Sequence, residues 1–262
     1  MDLGIDGNAA LVLASSSGLG KASAKSLARE GAHVVVNGRN EEQLADAVRE
    51  LEPVGNGDVI GHAGDITDPE TATQLVETTV ESFGGLDHLV TNAGGPPSGP
   101  FLETTDDDWY EAYDLLVMSA VRLIRAAEEP LRADGGGTIV NITSRSVKEA
   151  IDSLVLSNSV RMSVIGLEKT LSTELAPEVR VNAVLPGSHE TARLRELIEQ
   201  AVERGEYDSY EEGLDDWAGN PLGRVGDPME LGNTVAFLSS PMAGYINGTA
   251  VTVDGGSSAS NL

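Results

Sequence analysis

The stretch that decides the fold reads Ala14-Ser15-Ser16-Ser17-Gly18-Leu19-Gly20-Lys21. It follows an apolar run of strand length, residues 9–14, and precedes a segment with helical periodicity. Glycines at such a junction let the backbone approach a pyrophosphate, and the N-terminus of the helix offers N–H groups and a partial positive charge. The stretch therefore predicts a phosphate-binding turn, with a tight turn that binds nothing as the alternative.

Strands and helices alternate outward from this turn. The apolar runs are continuous, as in buried parallel strands, and cover residues 9–14, 33–36, 86–90, 138–142, 179–185 and 250–253. Helices are predicted to begin after the capping residues Asn40, Asp68 and Asp227, the last two followed by proline. The pattern predicts an α/β fold over residues 1–262. It is a single Rossmann-type domain with a doubly wound parallel sheet, helices on both faces and a ligand crevice at the carboxyl ends of the strands.

The composition excludes several classes of protein. The chain of 262 residues has no cysteine, so a disulfide scaffold, a cysteine-ligated metal site and a thiol nucleophile are impossible. Its four histidines stand at unrelated spacings, and no metal site is expected. The net charge of −25 repels nucleic acid and anionic lipid, and no apolar run is long enough to span a bilayer. We therefore expect a cytoplasmic protein without nucleic-acid or membrane partners.

The basic residues are unevenly divided between the two types. Four are lysines, at positions 21, 25, 148 and 169, and the other 13 are arginines. An acidic surface poor in lysine resembles halophilic proteins, whose self-repulsion is screened because the Debye length falls to about 3 Å at 1 M salt. An ordinary acidic protein is the alternative.

The end of the second predicted strand bears on the choice of dinucleotide. An acidic residue at this position binds the ribose 2′-hydroxyl of NAD, whereas the sequence here is Asn37-Gly38-Arg39-Asn40. The Arg39 guanidinium suits a 2′-phosphate, so NADP is favoured over NAD. Glu41 and Glu42 close by weaken this preference.

Motifs along nearly the whole chain resemble the short-chain dehydrogenase/reductase family, in particular its subgroup of 3-oxoacyl carrier-protein reductases. They are the glycine turn, with Ala14 in place of the family's first glycine, and later segments at 64–66, 91–94, 181–187, 221–224 and 253–256. The resemblance implies that Asp65 contacts the adenine ring and that the segment around Pro186 lies beside the nicotinamide. The dinucleotide-binding residues that it implies are Ser15, Ser17, Gly18, Leu19, Gly20, Arg39, Asp65, Ile66, Asn92, Gly94, Arg161, Pro186 and Gly187.

The sequence departs from the family at the catalytic positions. The family uses a Ser, a Tyr and a Lys, the last two spaced Tyr-x-x-x-Lys, together with an Asn from an earlier helix. Ser144 matches the serine, but Ser157 occupies the tyrosine position, Arg161 the lysine position and Leu116 the asparagine position. Because serine is a far weaker acid than tyrosine and arginine does not act as a titratable base, the family's proton relay cannot operate here. Arg161 can still bind ribose hydroxyl groups.

Two residues are candidates to replace the missing acid. Lys148 follows Ser144 by four residues on the expected active-site loop, with a solvated loop lysine as the alternative. His189 follows the segment expected beside the nicotinamide, with an ordinary loop residue as the alternative. The predicted catalytic set is therefore Ser144, Ser157, Arg161 and Lys148.

We expect an NADP-dependent oxidoreductase that transfers a hydride to or from a small carbonyl or alcohol substrate through a modified proton relay. The alternatives are a catalytically retired dinucleotide-binding protein, serving as a sensor or an assembly subunit, and a lyase or isomerase on the same scaffold. Residues 190–217 are predicted to form a substrate lid, and their acidity argues against a strongly anionic substrate such as an acyl-phosphopantetheine carrier. The resemblance also implies a homotetramer, which fits a helix after Ser144 that is apolar on more than one face.

Overall fold

Seven strands form one parallel sheet in the computed structural model, which describes residues 2–260. The strands are β1 (Ala9–Val12), β2 (His33–Gly38), β3 (Val59–Ala63), β4 (His88–Thr91), β5 (Gly137–Ile142), β6 (Val179–Pro186) and β7 (Ala250–Val253). Their order across the sheet is β3-β2-β1-β4-β5-β6-β7. The chain changes direction of winding between β1 and β4, and a crevice opens there at the carboxyl ends of the strands. The predicted doubly wound parallel sheet is confirmed.

The apolar runs of the sequence did not indicate β3. This strand lies at the edge of the sheet, where it pairs with β2 alone among the described strands. Val59 is buried, Ile60 and His62 are half-buried, and Gly61 and Ala63 are exposed. An edge strand needs fewer apolar residues than a central one, so this sequence contains no continuous apolar run.

Helices cover both faces of the sheet, as predicted. They are α1 (Gly18–Arg29), α2 (Glu41–Leu51), α3 (Pro69–Phe83), α4 (Asp106–Tyr113), α5 (Ser119–Arg132), α6 (Val155–Glu174), α7 (Ala192–Glu203), α8 (Tyr210–Trp217) and α9 (Pro228–Ser239). One apolar core joins α1, α2 and α9 to the sheet, and a second core joins α3 and α5 to the opposite face. A π-helical turn, Asp114–Met118, connects α4 with α5. None of the helices in residues 2–260 combines the length and the apolarity needed to cross a bilayer.

The helix starts predicted from capping residues are confirmed. Asn40 accepts a hydrogen bond from Gln43 N at 2.9 Å, and Asp68 accepts one from Glu70 N at 3.0 Å. Asp227 forms a reciprocal capping box at the start of α9. These side chains satisfy backbone N–H groups that have no partner within the helix.

Candidate active site

A cleft of about 990 Å³ lies at the carboxyl ends of the central strands. The glycine turn lines one side of it, together with the loops that follow β2 and β4. The segments after β5 and β6 line the other side, and they contribute Ser144, Pro186 and Gly187. The topology of the sheet thus brings together segments that are far apart in the sequence.

Within residues 2–260, the backbone N–H groups of Ser17, Gly18 and Leu19 in the glycine turn make no hydrogen bond and are free for a ligand. Ser17 stands at the N-cap of α1, but its side chain makes no capping hydrogen bond. Gly18 adopts a φ of +56°, and Ser17, Gly18 and Leu19 all line the cleft. The first N–H groups of a helix have no partner inside it, so these groups fit the phosphates of a dinucleotide.

Ser15 and Gly20, predicted as binding residues, do not line the cleft but shape the turn behind it. The buried Ser15 hydroxyl donates to Val12 O at 2.7 Å and accepts from Asn37 N at 2.9 Å. A Cβ atom on Gly20 would lie 2.4 Å from Ala14 O, so only glycine lets α1 start so close to β1. Their roles are therefore in the geometry of the loop.

Ala14 is held in a conformation that favours glycine. Its φ is +45°, in the left-handed region, where a Cβ atom costs about 1–2 kcal/mol. Ala14 N donates to Asn37 Oδ1 at 3.3 Å, and Ala14 O accepts from Asn92 Nδ2 at 3.2 Å. These bonds to residues at the ends of β2 and β4 hold the turn in this conformation.

Arg39, Asp65 and Ile66 line one end of the cleft. Asp65 Oδ1 accepts hydrogen bonds from the Thr67 backbone N at 2.9 Å and from the Thr67 hydroxyl at 2.8 Å. Burial acts to raise the pKa of Asp65, but these hydrogen bonds and the charge of Arg39 lower it overall. The Arg39 side chain is 79 % exposed, and its Nη1 atom lies 3.7 Å from Asp65 Oδ2. Arg39 is thus free to turn toward a phosphate.

The predicted residues in the middle of the cleft are also in place. Asn92 lines it, and a Cβ atom on Gly94 would meet no atom within 4 Å, so Gly94 borders open space. A Cβ atom on Gly187 would lie 2.6 Å from Asp254 Cβ. Position 187 must therefore be glycine for the chain after β6 to pass the end of β7. The cleft therefore has open space at Gly94 that a nicotinamide ribose would need.

Ser144 and Ser157 line the inner end of the cleft, and the buried Ser146 lies behind them. Ser144 Oγ accepts a hydrogen bond from Ser146 N at 3.1 Å. The hydroxyl groups of Ser146 and Ser157 lie 3.3 Å apart, and both residues are buried. Sequence reasoning missed Ser146, whose only signal is its place in the turn 145–147 directly after Ser144.

Arg161 is a buried cation with few hydrogen-bond partners. The residue is 9 % exposed, its Nη1 donates to Thr143 O at 3.2 Å, and its Nε has no hydrogen-bond partner among residues 2–260. Burial, with a smaller contribution from the nearby charge of Arg193, lowers the pKa of Arg161 to about 10. An unpaired buried donor is costly, so Arg161 is poised to bind polar groups of a ligand.

Leu116, which the resemblance places at the family's asparagine position, belongs to the protein core. It lies in the π-helical turn and packs in an apolar cluster with Leu156 and Val160 of α6. It is 4 % exposed and does not line the cleft. The position has therefore become part of the packing between the π-helical turn and α6.

The two candidate replacement acids do not meet Ser144 in the structure. Lys148 is exposed at the end of the turn 145–147 and does not line the cleft. His189 lines the cleft and is buried, but its Nδ1 lies 3.2 Å from Gly187 O, and its Cδ2–Nε2 edge faces Gly226. Burial is the main cause of the lowered pKa of His189.

The segment 190–217 folds as α7 and α8 beside the cleft and contacts the loop after β4. Arg193 Nη2 donates to Pro96 O at 2.7 Å, across the inner end of the cleft. Ser98 Oγ donates to Gln200 Oε1 at 2.7 Å and accepts from Arg204 Nη1 at 3.2 Å. These contacts join the predicted lid to the opposite wall of the site.

The residues present fit a bound dinucleotide. The free N–H groups of the turn match its phosphates, the open space at Gly94 matches its ribose, and the unpaired Arg161 Nε matches a ribose hydroxyl. Within the described residues, no group of three histidine or acidic side chains is arranged to hold a metal ion.

Comparisons with known proteins agree with this architecture. A family model described as enoyl-(acyl carrier protein) reductase matches residues 13–258. An uncharacterized oxidoreductase of Bacillus subtilis is 33 % identical over 261 residues, 98 % of each chain. L-rhamnose-1-dehydrogenase of Scheffersomyces stipitis is 34 % identical over 257 residues, 96 % of each chain.

A solved structure matches equally well. L-sorbose reductase from Gluconobacter frateurii, complexed with NADPH and L-sorbose, superposes with a TM-score of 0.93 and is 35 % identical, covering 99 % of this chain and 100 % of that one. The glycine turn, the loops after β2 and β4 and the segment after β6 thus occur in a chain whose relatives are oxidoreductases. The chain belongs to the short-chain dehydrogenase/reductase family.

Proposed function

We propose that the protein is an NADP-dependent oxidoreductase that transfers a hydride to or from a small carbonyl or alcohol substrate. The observation that supports the proposal is that one cleft is lined by most of the residues predicted to bind the dinucleotide and, at its inner end, by Ser144, Ser157 and the buried Arg161. The expected use of NADP agrees with the NADPH in the L-sorbose reductase complex.

The side chains at the inner end have distinct roles in this proposal. Bound NADPH supplies the hydride. Ser144 and Ser157 orient the substrate oxygen by donating hydrogen bonds to it, and the Arg161 charge stabilises the negative charge that develops on that oxygen. Ser157 Oγ donates a hydrogen bond to the oxygen and lies 3.3 Å from Ser146 Oγ, which can donate to it in turn. Solvent water in the cleft supplies the proton that the resulting alkoxide takes up, so the hydroxyl pair together with this water is the modified relay.

Turnover of a carbonyl panel tests the proposal directly. NADPH oxidation should be detectable with at least one ketone, aldehyde, ketose or aldose; L-sorbose and L-rhamnose belong in the panel because they appear in the names of relatives. Ser144→Ala should reduce the rate while NADP affinity persists. Saturable NADP binding without any turnover would instead favour the second candidate.

The second candidate is a catalytically retired protein that binds the dinucleotide as a sensor or as a subunit of an assembly. It is favoured by one observation: Leu116 is integrated into an apolar cluster, so one position of the family's relay now serves packing. Both candidates require the same dinucleotide site and differ only in hydride transfer.

We predict that NADP binds more tightly than NAD, because the exposed Arg39 guanidinium lies at the cleft and is held only by a loose contact with Asp65. Calorimetry should show this preference, and Arg39→Asp should reverse it, since a carboxylate repels the 2′-phosphate and accepts from the 2′-hydroxyl. Arg29→Gln, which removes a charge from an exposed position outside the cleft, is the matched control. Equal affinities in the parent protein would contradict the assignment.

We also propose a homotetramer. Exposed apolar side chains concentrate on adjoining segments: Phe101 and Leu102 before α4, Tyr113 on α4 and Met162 on α6, which packs against α4. Such a surface is typical of an interface between subunits. Light scattering in 2 M KCl should give four times the mass of one chain, and the mass of a monomer would contradict it.

We further predict that stability depends on salt. A net charge of −25 makes the compact state repel itself, and salt screens this repulsion. The melting temperature should therefore rise steeply with added KCl. A melting temperature that stays flat between low and high salt would show that the acidic, lysine-poor composition is incidental rather than halophilic.

The cytoplasmic location of the protein stays a prediction.

A further inference from the structure

A second cavity, of about 670 Å³, adjoins the inner end of the cleft. It lies between the active-site loop 145–154, the lid and the chain after β7. The residues that line both cavities are Arg145, Ile151, Leu154, Ser188, Leu197 and Trp217. Arg145 is the charged member of this junction, whose other walls are mostly apolar.

The Arg145 side chain has no partner of its own. It is half-buried, and no hydrogen bond or ion pair engages its guanidinium within residues 2–260. Its charge acts on Asp254, but the Asp254 carboxylate already accepts bonds from Gly256 N at 2.9 Å, Ser258 N at 2.9 Å and Ser258 Oγ at 2.7 Å. A guanidinium among apolar walls binds a carboxylate strongly, because its donors match the two oxygens.

The same end of the cleft holds two further guanidinium groups. Arg161 is buried and makes one hydrogen bond to a backbone carbonyl. Arg193 lies near enough for its charge to act on Arg161, although its Nη1 also pairs with the exposed Glu196 Oε2 at 3.2 Å. Arg145, Arg161 and Arg193 therefore all line the cleft, although the chain has a net charge of −25. The local field there favours an anion.

The acidic lid residues do not cancel this field. Glu206 and Asp216 line the second cavity, but Glu206 Oε1 accepts from Arg204 Nε at 2.7 Å and Asp216 Oδ2 accepts from Tyr207 OH at 2.7 Å. Both carboxylates are engaged within the lid itself. The other two acidic residues of this cavity lie outside the lid: Glu149 Oε2 accepts from Ala259 N at 3.0 Å, and Asp152 is exposed to solvent, which screens its charge. The acidity of the lid therefore disfavours a polyanion at the mouth of the site without excluding a single negative charge at Arg145.

We propose that the substrate carries one carboxylate and that Arg145 binds it where the two cavities meet. Arg145 is then a specificity-determining residue, and the carbonyl or alcohol of the same substrate lies against Ser144, its neighbour in sequence. The inference rests on the proposed function for the reacting group, but the binding of the carboxylate itself requires no turnover.

Matched pairs of probes that differ in the carboxylate test this inference. Calorimetry with the NADP-loaded protein, at one fixed salt concentration, should compare pyruvate with pyruvamide and D-glucuronate with D-glucose. We expect at least one carboxylate to bind more tightly than its neutral partner. Arg145→Gln should weaken the affinity for that carboxylate about 10- to 100-fold. Arg145→Lys, which keeps the charge, should weaken it less. Arg29→Gln, a charge removal at an exposed residue outside both cavities, should leave the preference unchanged.

Three results would overturn the inference: equal binding within both pairs, an unchanged preference in Arg145→Gln, or no saturable binding of either carboxylate. Thermal melts of each variant show whether it is folded. Failure of the proposed function can be distinguished from failure of this inference. Carboxylate binding that depends on Arg145, without NADPH oxidation by any substrate, would support the carboxylate site and contradict the oxidoreductase. Turnover of neutral substrates alone would support the oxidoreductase and contradict the carboxylate site.

Discussion

The double variant Ser157→Tyr, Arg161→Lys should reduce carbonyl substrates with NADPH about 10²- to 10⁴-fold faster than the parent protein, the range that general acid catalysis supplies. Ser157 lines the cleft, so a tyrosine ring there can extend into open space. A lysine at position 161 would place its charge beside the new hydroxyl and favour loss of its proton. The measurement is the initial rate of NADPH oxidation with a panel of ketones and aldehydes.

The matched control is the pair Ser157→Phe, Arg161→Lys, which has the same ring without the hydroxyl group. A higher rate in the tyrosine variant than in the phenylalanine variant assigns the gain to proton transfer rather than to packing. If both variants have the same rate and both bind NADP, the cleft does not present the substrate to this position. The retired-protein candidate would then gain weight.

Leu116→Asn is left out of this variant for a structural reason. Leu116 is 4 % exposed inside an apolar cluster, and an amide there would lack partners. A buried polar group without a hydrogen bond costs about 1–3 kcal/mol. Restoring the family's asparagine would therefore lower stability and obscure the kinetic comparison.

Arg161→Met should make the protein more stable in the absence of NADP and weaken its binding of NADP. A pKa of about 10 for Arg161 means that burial disfavours its charged form by about 3 kcal/mol. Because the pKa is lowered in the folded state, this penalty is present at every pH below about 10. Removing the charge should raise the free energy of unfolding at pH 7 by about 1–3 kcal/mol, since the lost bond to Thr143 O offsets part of the gain.

Arg180→Met is the matched control for this prediction, and its effect should have the opposite sign. The Arg180 guanidinium donates to Leu238 O at 2.8 Å, Ser240 O at 2.9 Å and Ile246 O at 3.0 Å. Its loss leaves those carbonyls without this partner and should lower the free energy of unfolding by about 2–4 kcal/mol. Chemical denaturation measures both variants, and calorimetry measures NADP affinity. A destabilised Arg161→Met would show that the buried guanidinium is compensated in the folded protein.

The sequence by itself determined the features that depend on neighbours along the chain. The helix starts at Asn40, Asp68 and Asp227 were predicted because a cap and its N–H partner lie within three residues of each other. The buried strands were predicted because a strand covered on both faces is apolar throughout. The edge strand β3 was not predicted from the sequence because its exposed positions interrupt the apolar run.

The tertiary structure alone decided which predicted site residues face the cleft and which support it. Ser15 and Gly20 stand in the same motif as Ser17 and Gly18, yet they lie behind the turn, because β2 and β1 approach it from that side. Lys148 and Arg145 are three residues apart on one loop, but Lys148 is exposed whereas Arg145 borders both cavities.

The charge state and the partners of the inner residues were likewise decided by packing. Nothing local to position 161 indicates that its guanidinium is buried with an unpaired Nε, because the atoms that exclude water from it come from other segments. The contact between Ser146 and Ser157 joins a loop to a helix eleven residues further on. Burial and pairing depend on residues brought together by the fold, and a pattern of spacings along one chain carries no record of them.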